Sequence, residues 1–270
     1  SYPAGQMLLS REDTPEKLAQ ELVDPTCDDS VRLCVTRLIG FVLLRKPDPH
    51  CATLLTSVQD PFPQAVASQL AARDPASKLC ALRAWANAAC SGEGGLSFCL
   101  RWRPVAEEVV ALAAHTQNDV CMGAMDCWGD VMMRWPCEGA SGPAAEIWET
   151  AEKRLLPLAL RNLKAKPFPE VRSHTWRLLS VFAAKCHNAA QAALPSEEMR
   201  LFMLDFASET STEARIAKHE FVVALVKHQS RLVHGCLEEK VGEVLEEFAR
   251  QGPHWQPHPQ ASVDVGKGSV

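Results

Sequence analysis

Side chains that favour pleated sheets are scarce in this chain. A single tyrosine and three isoleucines (Ile39, Ile147 and Ile216) occur in 270 residues, and aromatic residues of all kinds make up 6%. Strands draw on β-branched and aromatic residues, so this shortage argues against a β-rich fold and for helices built on the abundant alanine and leucine. Cations are not in excess either. The 28 Lys and Arg against 33 Asp and Glu leave a net charge of −5, which excludes the dense basic footprint that nucleic-acid binding requires. No apolar run reaches the ~18 residues of a membrane span. The start, SYPAGQMLLSREDT, has neither the basic stretch nor the long apolar stretch of a signal peptide. The chain is expected to be soluble and cytoplasmic, with the nucleus as a second compartment.

The motifs of catalysis are missing as well. There is no G-x-S-x-G elbow, no phosphate-binding glycine loop, no dinucleotide fingerprint and no H-E-x-x-H. Eleven cysteines are scattered without a C-x-x-C pair, an odd number that suits neither a disulfide framework nor a zinc site and reads as reduced, structural thiols. Cys186 and His187 are adjacent, but neighbours on a helix point ~100° apart and do not meet as nucleophile and base. His254 and His258 lie four apart in HWQPHP, where two prolines forbid the helix that would align them on a metal. Paired acids such as Glu107-Glu108 and Glu246-Glu247 read as solvated helix faces. The expectation is a non-enzymatic protein without cofactor, metal or small-molecule ligand.

What the chain does contain is a repeat. Apolar-periodic segments beginning at Val31, Ser77, Val120, Val171 and Ala214 can be stacked on one another with offsets of 46, 43, 51 and 43 residues. A period of ~40 to 47 residues with two or three helices per unit is that of HEAT and armadillo arrays. In the fourth segment Val171, Thr175, Leu178, Leu179 and Phe182 form one apolar stripe. One helix pair cannot hide such a stripe, so neighbouring repeats must cover it. The expected fold is an all-α solenoid over residues 1–251, curved, with a concave inner face and about five repeats, followed by an extended or disordered tail over 252–270.

Each segment opens on a capping stretch: DDS, DPA, QND, FPE and STE. Second helices are expected near 52–59, 105–115, 147–163, 197–208 and 237–250. The proline-bearing KPDPH, DPFPQ, RWRP and AKPFPE are expected to break helices between them, and SGEGG (91–95) and WPCEGASGPAA (135–145) to be exposed loops. Trp85 and Trp128 align with Ile39, Leu179 and Val222, which makes them core residues between repeats.

Candidate binding residues come from what the apolar stripes leave outside. Arg37, Arg83 and Arg177 share one register of the first helices, interrupted by Asp126 and Glu220, and Arg177 lies ~145° from the apolar centre of its helix. Along the second helices, Leu155, Ala159 and Leu163 face inward, which turns Arg154, Leu158 and Arg161 outward. Leu201, Leu204 and Asp205 are likewise turned away from Met199, Met203 and Phe206. Leucines flanked by charge on inner solenoid helices predict a protein-docking surface.

The last third carries a resemblance. KPFPEVRSHTWRLLSVFAA (166–184), ARIAKHEFVVALVKH (214–228) and FARQGPHWQP (248–257) resemble the 26S proteasome non-ATPase regulatory subunit 5 family. The shared marks are Pro167-Phe168-Pro169-Glu170, Ala217-Lys218-His219-Glu220, with His219 where an aromatic is usual, and Gly252-Pro253. The resemblance covers about 90 residues and implies an all-helical HEAT/armadillo-like assembly chaperone of the proteasome regulatory particle. Such a protein binds the C-terminal domain of one AAA+ ATPase subunit of the base, with other base subunits as further partners, and is absent from the mature particle. Because those proteins are longer, the chain would correspond to their C-terminal part. The competing expectation is a generic HEAT/armadillo adaptor in nuclear transport or ubiquitin-ligase assembly.

Overall fold

A computed structural model of the chain describes residues 14–44, 54, 56–187, 190, 191 and 196–256. Every regular element among the described residues is a helix. They form two compact units, residues 1–151 and 152–270. The first holds α1 (Thr14–Val23), α2 (Asp29–Leu44), α3 (Pro61–Ala71), α4 (Pro75–Cys90), α5 (Glu93–Arg101), α6 (Arg103–Leu112), α7 (Asn118–Arg134) and α8 (Gly142–Thr150). The second holds α9 (Leu156–Ala165), α10 (Pro169–Lys185), α11 (Glu197–Leu204), α12 (Thr212–His228), α13 (Ser230–Cys236) and α14 (Glu239–Gln251). No helix among the described residues is long and apolar enough to cross a membrane.

The five long helices α2, α4, α7, α10 and α12 begin two residues ahead of the five aligned segments, so the repeat offsets are also helix offsets. Their starts follow from local chemistry. Asp74 caps α4 by accepting from the amides of Ala76 and Ser77, and Ser211 caps α12 by accepting from Ala214. Pro169 occupies the first turn of α10, where a missing N–H costs nothing. In the first unit the long helices form a layer in which α4 lies between α2 and α7, while the shorter α1, α3 and α6 pack in succession as a second layer. In the second unit α10 packs along α12, and α12 along α14.

The shared register is the core. Ile39, Trp85, Trp128, Leu179 and Val222 are all at most 2% exposed, and the rings of Trp85 and Trp128 lie 5.3 Å apart. Close approach depends on small residues. A Cβ placed on Gly40 of α2 would stand 2.6 Å from the Cα of Ala84 on α4, a backbone atom that cannot swing aside.

A second regularity ties each long helix to what precedes it. Its fourth residue is Arg32, Lys78, Cys121, Arg172 or Arg215, and each donates to a backbone carbonyl: Asp24 (2.8 Å), Leu70, Ala113 (3.0 Å), Leu163 and Glu209 (2.8 Å) respectively. Four of these acceptors lie at or just past the end of the preceding helix, and the fifth lies in the loop after α11. Helix C-termini leave carbonyls without intrahelical partners, and a cation there also opposes the negative end of the dipole.

Several expectations are corrected. DPFPQ marks a break, since 58–60 form a turn, but it also opens a helix: Pro61 and Pro63 sit in the first turn of α3, where proline is favoured. SGEGG is only half a turn, since Gly94 and Gly95 lie inside α5 and only 91–92 are non-helical. The helix expected over 147–163 is α8, a π turn (Ala151–Leu155) and α9. Pro157 follows that turn, where its ring would otherwise crowd the carbonyl four residues back and one hydrogen bond is lost. The helix expected over 197–208 stops at Leu204, and α13 was not foreseen. Cys34, read with the other cysteines as a structural thiol, is exposed, and Cys80 is half-buried. KPDPH and residues 257–270 of the tail lie outside the described residues, as do residues 52, 53 and 55; of the helix expected over 52–59, residues 54, 56 and 57 are helical and 58–59 form a turn.

Gly40→Ala should cost about 1–3 kcal/mol by forcing α2 and α4 apart, measured by urea unfolding. Gly94→Ala, where an added Cβ meets nothing within 4 Å, should leave stability unchanged or raise it by up to ~1 kcal/mol. Equal effects of the two substitutions would contradict the close-approach account.

Candidate protein-interaction surface

The residues singled out by register divide between the two units. Arg37 on α2 and Arg83 on α4 are exposed on neighbouring helices of the first unit. Arg83 does not stand alone: its guanidinium pairs with Asp130 on α7 at 2.5 Å, so this part of the ladder is bridged across helices. Arg177 is exposed on α10 of the second unit.

Arg154, in the π turn, and Arg161, on α9, are exposed, and Leu158 between them is half-buried. The expected inward residues Leu155, Ala159 and Leu163 are at most 1% exposed, so the stripe has the orientation that its periodicity implied. On α11 Leu201 is 47% exposed and Leu204 half-buried, while Met199 and Met203 are buried. Asp205 follows as the C-cap residue of α11 with its side chain exposed. Of the three leucines Leu201 is therefore the most exposed, at 47%. The two stripes rest on different supports, α9 on α10 and α11 on α14.

Beneath Asp205 lies a buried polar cluster that the register search missed. Glu209, 1% exposed, accepts from Arg172 at 2.9 and 2.6 Å and from the indole nitrogen of Trp176 at 2.7 Å. Lys218, 2% exposed, donates to the carbonyl of Asp205 at 2.6 Å and lies 5.6 Å from the ring centres of both Trp176 and Phe206. A buried ammonium is tolerated there because two aromatic faces and a carbonyl replace part of its water. Burial nevertheless pulls the Lys218 pKa from the usual 10.5 to about 8, against the opposing pull of Glu209 and Asp205. The cluster pins the loop between α11 and α12, and with it Asp205, onto the long helices. A signal for it was present in the sequence: a basic residue follows the first aligned position in four of five repeats, as Arg32, Lys78, Arg172 and Arg215.

Phe206 continues the cluster into an aromatic nucleus. Its ring centre lies 4.8 Å from Phe248 and 5.7 Å from Trp255, and His219 meets Phe248 edge-on at 5.2 Å. Gly252, at φ 105°, lets the chain leave α14 and return Trp255 to this nucleus.

Cys90, Cys121, Cys127 and Cys186 are poorly suited to nucleophilic chemistry. Burial pushes Cys127 up to about 12 and Cys90 up to about 11. Cys186 and Cys121 are buried, and their sulfurs donate to Glu152 (2.7 Å) and to the Ala113 carbonyl (3.0 Å).

No family model and no curated protein matches the chain. Solved structures do. Designed armadillo repeat protein YIII(Dq)4CqI aligns with a TM-score of 0.61 at 14% identity, over 88% of this chain and 92% of that one. A designed armadillo repeat protein in complex with the peptide (KR)4 aligns at 0.59 and 12% identity, over 86% and 98%. An engineered protein aligns at 0.58 and 15% identity, over 90% and 99%. The fold is an armadillo-like helical repeat. At these identities the likeness concerns backbone architecture alone.

Two outcomes test the cluster. Arg172→Met strands Glu209 without its main partner and should cost about 3–5 kcal/mol in urea unfolding. Because the folded pKa of Lys218 lies below its unfolded value, the unfolded chain keeps a proton that the folded chain releases between pH ~8 and ~10.5, so stability contributed by this group rises with pH there. The Lys218→Met variant should lack that rise; parallel stability curves for the two proteins would exclude it.

Proposed function

We propose that the chain is a non-enzymatic protein-binding scaffold acting as an assembly chaperone of the proteasome regulatory particle. Its partner is the C-terminal domain of an AAA+ ATPase subunit of the base. The observation that carries this reading joins the sequence resemblance to the packing of the second unit. The three stretches bearing the resemblance are far apart in sequence, yet Trp176, Lys218, His219, Phe248 and Trp255 all belong to one cluster with Phe206. Of the shared marks, Lys218 and His219 belong to this nucleus, and Gly252 lets the chain return Trp255 to it. The buried thiols and the helical-repeat architecture support binding over catalysis.

The binding surface in this reading is Arg154, Leu158 and Arg161 together with Leu201, Leu204 and Asp205. Exposed guanidinium groups on a firm helical support suit carboxylates and carbonyls at helix ends of a partner domain. Arg37, Arg83 and Arg177 supply secondary contacts.

Affinity capture from cell extract should recover proteasomal ATPase subunits without the core protease. The double variant Arg154→Glu/Arg161→Glu should bind the isolated ATPase domain roughly tenfold more weakly, about 1.4 kcal/mol, with helicity and melting unchanged. Unaltered affinity would remove these residues from the interface. Capture of a nuclear-localisation peptide, or of ubiquitin-ligase subunits, in place of the ATPases would favour the adaptor reading.

A further inference from the structure

Most of the tryptophans are fixed by their indole nitrogen or by complete enclosure. Trp135, Trp148 and Trp176 donate to the Ala89 carbonyl, the Trp135 carbonyl and Glu209 at 3.1, 3.3 and 2.7 Å, and Trp85 and Trp128 are at most 2% exposed. Trp255 has neither support. It is half-buried, and its ring is held by Phe206, edge-on at 5.7 Å, and by Phe248 at 6.4 Å. Among the described residues no hydrogen bond or ion pair ties residues 253–256 to another element; the Trp255 amide donates back to the Gly252 carbonyl at 3.1 Å, inside its own turn. His254 and Gln256 on either side are exposed. Gly252, at φ 105°, has nothing within 4 Å of where a Cβ would stand, so the point about which this segment leaves α14 is uncrowded.

The seat beneath the indole is built in the opposite way. Phe206 is backed by Lys218, whose ammonium lies 5.6 Å from the ring centre and donates to the carbonyl of the preceding residue, Asp205, at 2.6 Å. Phe248 is 2% exposed and stands 4.8 Å from Phe206. His219 meets it edge-on at 5.2 Å, and the His219 Nε2 donates to the Ala249 carbonyl at 3.2 Å. The two rings are thus fixed from the loop after α11, from α12 and from α14. Asp205 and Ala207, which flank Phe206, are exposed, so the rim is open to an incoming chain. A rigid aromatic seat under a loosely fastened aromatic occupant is the arrangement of a tethered ligand on its site, because the seat needs no ordering when the occupant changes.

We propose that Phe206 and Phe248 form a recognition seat for a tryptophan side chain on a non-helical protein segment, filled in cis by Trp255 until a partner's segment displaces it. Trp255 shows what the seat accepts: a large flat ring packed edge-on and tilted against two phenyl rings, with the indole N–H left to solvent. Tryptophan is also the side chain that most often anchors a protein interface. A short tether keeps its own ligand at an effective concentration on the order of millimolar, so the segment around Trp255 acts as an autoinhibitory strap. A partner that adds contacts at the open rim, beside Asp205 and Ala207, overcomes it.

A peptide of residues 252–256 carrying fluorotryptophan in place of Trp255 is the probe, and its outcome is independent of which protein docks on the chain. With the Trp255→Ala variant the fluorine resonance should shift and broaden, and saturating peptide should raise the melting temperature of the variant. Wild type should bind the peptide roughly tenfold more weakly, because the strap competes. The double variant Trp255→Ala/Phe206→Ala should not bind it. Trp255→Phe keeps a ring in the seat and with it the packing of the nucleus, and should bind the peptide with an affinity between those of wild type and Trp255→Ala. Absence of binding to Trp255→Ala, equal binding by wild type and Trp255→Ala, or a Trp255→Phe affinity no different from that of wild type would each overturn the proposal.

Discussion

Each of the five long helices is fastened to the backbone before it by the side chain of its fourth residue. Arg32, Lys78, Arg172 and Arg215 reach back to backbone carbonyls of the segment before their helix, and Cys121 does so with a thiol. A repeat fold depends on such a contact because apolar stripes alone fix a stacking face but not an entry angle. A charged hydrogen bond between the first turn of one helix and a carbonyl near the end of its predecessor fixes that angle. Cys121 is the instructive exception. It is fully buried, so a cation there would lose its water, and a weak thiol donor meets the carbonyl at smaller desolvation cost.

In the second unit this contact grows into something larger. Arg172 bonds the Leu163 carbonyl and also holds Glu209, which in turn holds Trp176. The loop after α11 is thereby drawn against α10 and α12, and Lys218 completes the enclosure. Buried charge is costly unless every lone pair and proton is met; here Glu209 accepts from two side chains and Lys218 is shielded by rings. The candidate docking residues Leu201, Leu204 and Asp205 stand at the edge of this rigid nucleus, which spares a partner the entropy of ordering them.

Much of the architecture was legible in the chain. Helix starts were readable from Asp, Ser and Pro at the caps, and the core tryptophans from their alignment with Ile39 and Leu179. The outward direction of Arg154 and Arg161 was readable as well, because helical periodicity fixes which way a side chain leaves. Degrees of exposure were not legible. Leu158 and Leu204 are half-buried, and how far a side chain is covered is not written in one helix's period. Prolines carry two local meanings: the same residue ends one helix and favours the first turn of the next, so Pro61 and Pro63 open α3 directly after the turn at 58–60.

The sequence by itself determined the helical class, the repeat offsets and the identity of the register core, since all three follow from local propensity and from spacing along one chain. The tertiary structure alone decided that Arg83 is bridged to Asp130, that Glu209 lies buried against Arg172 and Trp176, and that Cys34 is exposed where Cys80 is half-covered. These outcomes depend on which groups meet across 33 to 47 residues of sequence. Equivalent positions in a repeat share a direction but not a neighbour, and the neighbour sets burial, pairing and charge.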